Sequence, residues 1–300
     1  MNSSPRALSA LVFCLVVPPL LCSQSLPRPF TDSTVFISYK VDAQTTCTGS
    51  GFIIGHGPNE TINTIYLVTN KHVLPLENGP REITIRVNVI SEAGGSTQVK
   101  EVIIPVRGDD HKFLPTVKLH PTPSTDVAVV DITKEARANH LTVTGGVLSD
   151  SWLMSREDLK TSGVTLGYEI YLLGYPASMY DPSNTAPLLR MGIIASDPVA
   201  GYSFNQRLQT TFNFPAHIDG FLIDANVFPG SSGSMVVLRP GIVYKDGWPT
   251  FGGTASQPRI IGIVSKSIPI TDTALQITTR MAVGIAFSSE SIRETLTMFQ

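Results

Sequence analysis

Short apolar runs alternate with turn-forming clusters along almost the whole chain. Residues 33–41 (STVFISYKV) are dense in β-branched and aromatic side chains, and residues 81–90 (REITIRVNVI) alternate polar and apolar one by one. A period of two is the mark of a half-buried strand. Residues 49–55, 63–73, 101–107 and 126–132 read as strands on the same grounds. The second half repeats the style at 168–176, 188–196, 220–228, 234–238, 259–267 and 282–288. One segment, 288–299 (SSESIRETLTMF), has helical periodicity, with Ser288 placed to cap it and Glu290 and Ser291 in its first turn. A shorter helix is expected at SREDLK, residues 155–160. The stretches SNTAPLL and YKDGWPTFGGTASQPR read as surface loops.

Many short strands closed by one terminal helix predict an all-β barrel or sandwich. Strand–helix alternation is missing, which argues against a doubly wound α/β sheet. The segment between Ile132 and Tyr168 is placed to join two halves, with the boundary near residue 150.

Composition narrows the class further. The chain has 300 residues, 42% of them hydrophobic and 15% charged, with a formal net charge of -2. That length allows one large domain or two small ones. No basic run suggests nucleic acid as a partner. No HExxH string or paired CxxC suggests a metal, and no cofactor is expected. At the N-terminus Arg6 precedes an apolar run, Ala7 to Cys22, broken by Pro18 and Pro19 and followed by small residues at Ser23 and Ser25. These are the parts of a secretory signal peptide over residues 1–25. The run is short for a membrane span, although an uncleaved anchor is the alternative. The expectation is a secreted or periplasmic protein with no stable span after cleavage. Of the three cysteines, Cys14 and Cys22 fall in this segment. Cys47 is left alone, expected as a small buried apolar residue with no disulfide partner. Asn59 opens an N-E-T glycosylation sequon.

One polar string changes the picture: FPGSSGSMVV, residues 228–237. A Gly/Ser/Pro cluster between apolar runs is ordinarily a loop, but one of its serines could be a nucleophile. Ser234 spoils the G-x-S-x-G elbow, and no lysine follows the glycines as in a phosphate-binding loop. Serine hydrolysis needs a base and an acid to orient it. All six histidines precede Ser232, so the base must lie upstream. His72 ends the apolar run IYLVTNKHV, an address suited to a working side chain on a rigid scaffold. A solvent-exposed strand-end histidine would read the same way. Asp126 opens the run DVAVVDI and is placed to be buried against an imidazole. Asp131, five residues on, points to the opposite strand face and reads as a surface or salt-bridge group.

In order and context, YLVTNKHV, STDVAVVDI and PGSSGSMVV resemble the VVTAAHC, NDIALL and GDSGGP segments of the trypsin-like, chymotrypsin-fold serine proteases. The HtrA/Deg-like and glutamyl-endopeptidase-like bacterial branches look closer still, through TNxHV, DVAV and PGNSGGP. YLLGYP, RMGIIAS, LIDANVFPGSSGS, IIGIVS and VGIAFS resemble further segments of the HtrA-like chain. The resemblance runs from about Phe36 to Ile292 and departs from the pattern at Ser231, Ser234 and Met235. It implies two six-stranded antiparallel β-barrels with a C-terminal helix, residues 26–150 carrying His72 and Asp126 and residues 151–300 carrying Ser232. A C-terminal peptide-binding (PDZ) domain is not expected.

By the same resemblance Ser232 is the nucleophile, His72 the base and Asp126 its orienter. The N–H groups of Gly230 and Ser232 form the oxyanion hole. The implied function is an exported endopeptidase acting on polypeptides through an acyl-enzyme. A catalytically inactive binding protein and an esterase-like hydrolase are the alternatives. The primary pocket is expected at Asn226, Val227, Val264, Ser265 and Ser267. Asn226 forms an uncharged floor, the two valines an apolar wall, and Ser267 narrows the entrance, which favours small or medium apolar residues. The aspartate that pairs with a freed N-terminus in pancreatic-type trypsins is replaced by uncharged Ser231, so no such activation is expected.

Overall fold

The computed structural model describes residues 26–57, 62–90, 97–141, 146–241, 243–245, 248–250, 257–272 and 277–299. Residues 1–25, expected to be a signal peptide, and the sequon at Asn59 lie outside them. Eight strands form the first sheet: β1 (Thr34–Lys40), β2 (Thr46–His56), β3 (Thr64–Thr69), β4 (Glu82–Ile90), β5 (Thr97–Pro105), β6 (Val117–Leu119), β7 (Ala128–Asp131) and β8 (Leu148–Ser149). The spatial order is β5-β4-β1-β2-β3-β7-β6, with β8 paired in parallel to β2.

The second sheet uses β9 (Glu169–Gly174) and β10 (Leu188–Ile194). After a two-stranded ribbon of β11 (Tyr202–Ser203) and β12 (His217–Ile218), it continues with β13 (Gly220–Asp224) and β14 (Met235–Leu238). A second ribbon, β15 (Val243–Lys245) and β16 (Trp248–Thr250), precedes β17 (Arg259–Asp272) and β18 (Ile277–Ser288). The six strands β10-β13-β18-β17-β14-β9 close into a barrel.

The expectation of two closed six-stranded barrels is therefore corrected. One barrel is closed; the first sheet has eight strands and stays open, with β5 and β6 as its ends. The reason lies between those ends. β6 is only three residues long, and the chain from Arg107 to Phe113 folds back on itself through an isolated bridge. Arg107 is buried there, donating from Nε and Nη2 to Pro75 O at 3.2 and 2.9 Å and from Nη1 to His111 O at 2.6 Å. Its guanidinium lies 3.7 Å over the Phe113 ring. Among the described residues β5 and β6 are not paired.

The helices also exceed the single terminal one. They are α1 (Arg28–Asp32), α2 (Thr133–Ala138), α3 (Arg156–Ser162), α4 (Gln206–Phe212) and α5 (Ser289–Leu296). α3 falls on the expected SREDLK segment, held by a capping box between Ser155 and Asp158. α5 starts as expected, with Ser288 Oγ accepting from Glu290 N at 3.1 Å.

Alternation places the cores. Ile83, Ile85, Val87, Val102 and Ile104 point inward from β4 and β5 to meet Val35, Ile37 and Leu67. A second cluster fills the closed barrel with Ile170, Leu172, Phe221, Ile223, Val236 and Ala286. A third joins both sheets through Phe52, Val68, Leu173, Met235 and Ile263. Burying each such side chain is worth about 1.5–3 kcal/mol, and the third cluster spends part of that on packing the two sheets against each other. Among the described residues no helix is long and apolar enough to cross a membrane.

Candidate active site

β3 ends at buried Thr69, and the chain tightens into a single 3₁₀ turn, Lys71–Val73, that carries His72. The strand expected over 63–73 therefore stops short of the histidine. Asn70 is buried at the junction, and its Nδ2 donates to Asp126 O at 2.6 Å. That bond fixes the loop ahead of β7, where Asp126 sits two residues before the strand begins. His72 meets the carboxylate twice: its backbone N–H donates to Oδ1 at 3.2 Å, and Nδ1 lies 2.6 Å from Oδ2. Ser265 Oγ adds a third bond, donating to the same Oδ2 at 2.6 Å.

Burial alone would raise the Asp126 carboxyl. The hydrogen bond and charge of His72, the Ser265 hydroxyl and the His72 backbone N–H outweigh it and hold the carboxyl below its ordinary 3.8. Asp126 is thus a fixed anion, and its Oδ2 faces Nδ1, which leaves Nε2 as the imidazole's free nitrogen.

Ser232 comes from the turn between β13 and β14. Its Oγ donates to Ser265 O at 2.7 Å, and among the described residues no hydrogen bond links it to His72. Gly230 (φ 85°) and Gly233 (φ 88°) both take left-handed backbone. A Cβ on Gly230 would come within 2.5 Å of Tyr175 O, and one on Gly233 within 1.8 Å of Ser50 O. Around them Ser231 N donates to Phe228 O, Gly233 N to Val264 O and Ser234 N to Ser231 O. The N–H groups of Gly230 and Ser232 find no acceptor among the described residues. Two adjacent free donors on a locked turn can receive an anionic oxygen.

The pocket residues are divided. Asn226 is exposed, Ser265 is fully buried and Ser267 nearly so, while Val227 and Val264 belong to the barrel's apolar cluster. Cys47 is half-buried rather than buried. Asp131 ends β7 and accepts from Thr133 N at 2.9 Å, closing a local turn. Among the described residues, no group of three His, Cys, Asp or Glu side chains could hold a metal.

Sequence reasoning missed three features. Ser50 is the first. Its N–H donates to Ser232 O at 2.8 Å, its Oγ donates to Gly230 O at 2.7 Å, and Oγ accepts from Tyr175 N at 2.9 Å. A buried hydroxyl between two glycines in an apolar strand was its signal. The second is a cleft of about 810 Å³ beside His72 and Asp126, lined also by Lys71, Phe204, Phe214 and Lys266. Its aromatic wall comes from the α4 excursion, where Phe204 and Phe214 stack at 4.8 Å and Lys266 Nζ sits 4.9 Å over Phe214. The aromatic-dense string TFNFP was its signal. The third is Arg190, considered below.

Residues 49–243 match the trypsin-like peptidase domain family. That is well over half the chain, and the chain belongs to this family, whose membership supports a general proteolytic function. No curated protein matches. Among solved structures it is similar to the active form of the Rv3671c protease from M. tuberculosis. The two are 18% identical over 99% of this chain and 94% of that one, with a TM-score of 0.48. Deg5 is 17% identical over 90% of both chains, with a TM-score of 0.47.

Proposed function

We propose that the chain is an exported serine endopeptidase that cleaves polypeptides through an acyl-enzyme, with His72, Asp126 and Ser232 as its triad. The observation that carries the reading is the His72–Asp126 pair, 2.6 Å from Nδ1 to Oδ2, joined through Ser265 to the hydroxyl of Ser232. In the reaction, the Ser232 side chain turns from Ser265 O toward His72 Nε2. Oγ attacks the scissile carbonyl while its proton passes to Nε2, and Asp126 stabilises the imidazolium. The carbonyl oxygen, now anionic, takes the N–H groups of Gly230 and Ser232. Collapse breaks the C–N bond, and the Nε2 proton leaves with the amine. Water repeats the sequence, returning Ser232 and releasing the acid. The exported setting rests on the composition of residues 1–25.

The Ser232 bond to Ser265 O favours a second reading, an inert protease fold used for binding. A fluorophosphonate probe separates the two. Labelling that disappears in Ser232→Ala and His72→Ala supports the enzyme. An unlabelled, folded wild-type protein rejects it.

A further inference from the structure

Arg190 lies on β10, and its side chain runs to the turn that carries Ser232. Nη1 donates to Asn226 O and Nη2 to Ser231 Oγ at 3.2 Å. Ser231 is fully buried and its Oγ also accepts from Phe228 N at 3.3 Å, so two donors converge on one hydroxyl. Arg190 Nε is buried without a hydrogen-bond partner. Among the described residues no carboxylate lies within ion-pair distance of the guanidinium, and burial lowers its pKa. The guanidinium is half-buried, and a partly desolvated cation without a counter-ion costs free energy. Here it binds a carbonyl and a hydroxyl of the turn that leads into Ser232.

We propose that Arg190 is a positioning residue for the oxyanion turn. It braces Asn226 and Ser231, so that the Gly230 and Ser232 N–H groups stay free and directed at the reacting carbonyl. Its uncompensated charge makes that turn more positive. An anionic tetrahedral intermediate is stabilised there more than the neutral ground state, which is the condition for raising kcat rather than lowering KM. This cation is internal to the chain and needs no freed N-terminus. The inference deepens the proposed function and rests on it.

The test compares wild type, Arg190→Gln, Arg190→Lys and Ser231→Ala, with Ser232→Ala as the blank, on a fluorogenic peptide series. Hydrogen–deuterium exchange of the segment 226–233 is followed in parallel. Arg190→Gln is expected to lose about 30-fold in kcat with KM changed less than about twofold. Arg190→Lys should recover part of the loss, as should guanidinium ion added to Arg190→Gln. Amide exchange across 226–233 should rise about tenfold in Arg190→Gln. Unchanged kcat and exchange in Arg190→Gln overturn the proposal. So does a loss confined to KM for peptides with Asp or Glu at the cleaved bond, which assigns the guanidinium to substrate recognition. If Arg190→Gln does not fold, Ser231→Ala decides: it keeps the cation and deletes one acceptor, and should lower kcat about three- to tenfold, with no change overturning the brace. A wild type without Ser232-dependent turnover refutes the endopeptidase reading, and the exchange measurement still judges the brace.

Discussion

Ser265 faces Asp126 and Ser232 at once: its hydroxyl donates to Asp126 Oδ2 at 2.6 Å, and its carbonyl accepts Ser232 Oγ at 2.7 Å. Asp126 and Ser232 come from the first and the second sheet, and this one residue of β17 touches both. Ser265→Ala removes the hydroxyl and keeps the carbonyl. A hydrogen bond to a charged group is worth about 1.5–3 kcal/mol, so kcat should fall at least about tenfold while Ser232 stays in place. Steady-state kinetics on the purified variant check this, and unchanged kcat would remove Ser265 from the machinery.

Asp126 gives the fold a definite acid response. Burial raises its carboxyl, and the His72 and Ser265 bonds lower it further than burial lifts it. A carboxyl with a depressed folded value stabilises fully above its unfolded value near 3.8 and loses that contribution as pH falls through the lower folded value. The stability gap between wild type and Asp126→Asn should therefore be widest at about pH 6 and close toward about pH 2. Urea titrations across that range measure it. A gap independent of pH contradicts the assignment.

Gly233→Ala should be among the most damaging single changes. The added Cβ meets a backbone carbonyl, Ser50 O, at 1.8 Å, at a φ of 88°. Strain and displacement together should cost about 3 kcal/mol or more and abolish probe labelling at Ser232. Gly163→Ala is the control: its φ is 70° but its surroundings are open, so about 1 kcal/mol is expected. Equal losses in the two variants would show that crowding against Ser50 is immaterial.

The cleavage map should lack a preference for Arg or Lys at the scissile bond. Asn226 is exposed and uncharged, and the Arg190 guanidinium rests on its carbonyl. A basic side chain entering there meets a like charge, which disfavours it. Mass-spectrometric mapping of cuts in an unfolded protein reads this directly. A map dominated by Arg or Lys would place the pocket elsewhere.

The longer strands were legible as apolar or alternating runs, while the two- and three-residue strands β6, β8, β11 and β12 are too short to show a period, and β15 and β16 fall largely in the stretch YKDGWPTFGGTASQPR that read as a loop. β4 alternates buried and half-buried residues from Ile83 to Val87, after which polar Asn88 is buried as well, and α5 begins at the serine whose side chain caps it. His72 and Asp126 stood out because each borders an apolar run that ends or begins there, and the structure brings the two side chains within 2.6 Å. Closure of the first sheet was not legible, since it depends on whether β5 meets β6, and no local pattern records a pairing between strands. Arg190 was hidden for a related reason: a basic residue at an alternate position of an apolar strand reads as solvent-facing. Ser50 was hidden because its partners Tyr175, Gly230 and Ser232 lie far along the chain.

The hydrogen bond from Ser50 Oγ to Gly230 O spans 180 residues of sequence. A turn tied over that separation is among the last parts to settle, because the closing entropy grows with the loop and non-local contacts form slowly. Until β2 and the closed barrel have met, the Ser232 turn lacks its support from Ser50, and the cleft beside it is not assembled. Under the proposed function, the Ser232 hydroxyl would become reactive only once the long-range fold is complete, so a half-folded copy would be harmless to its neighbours.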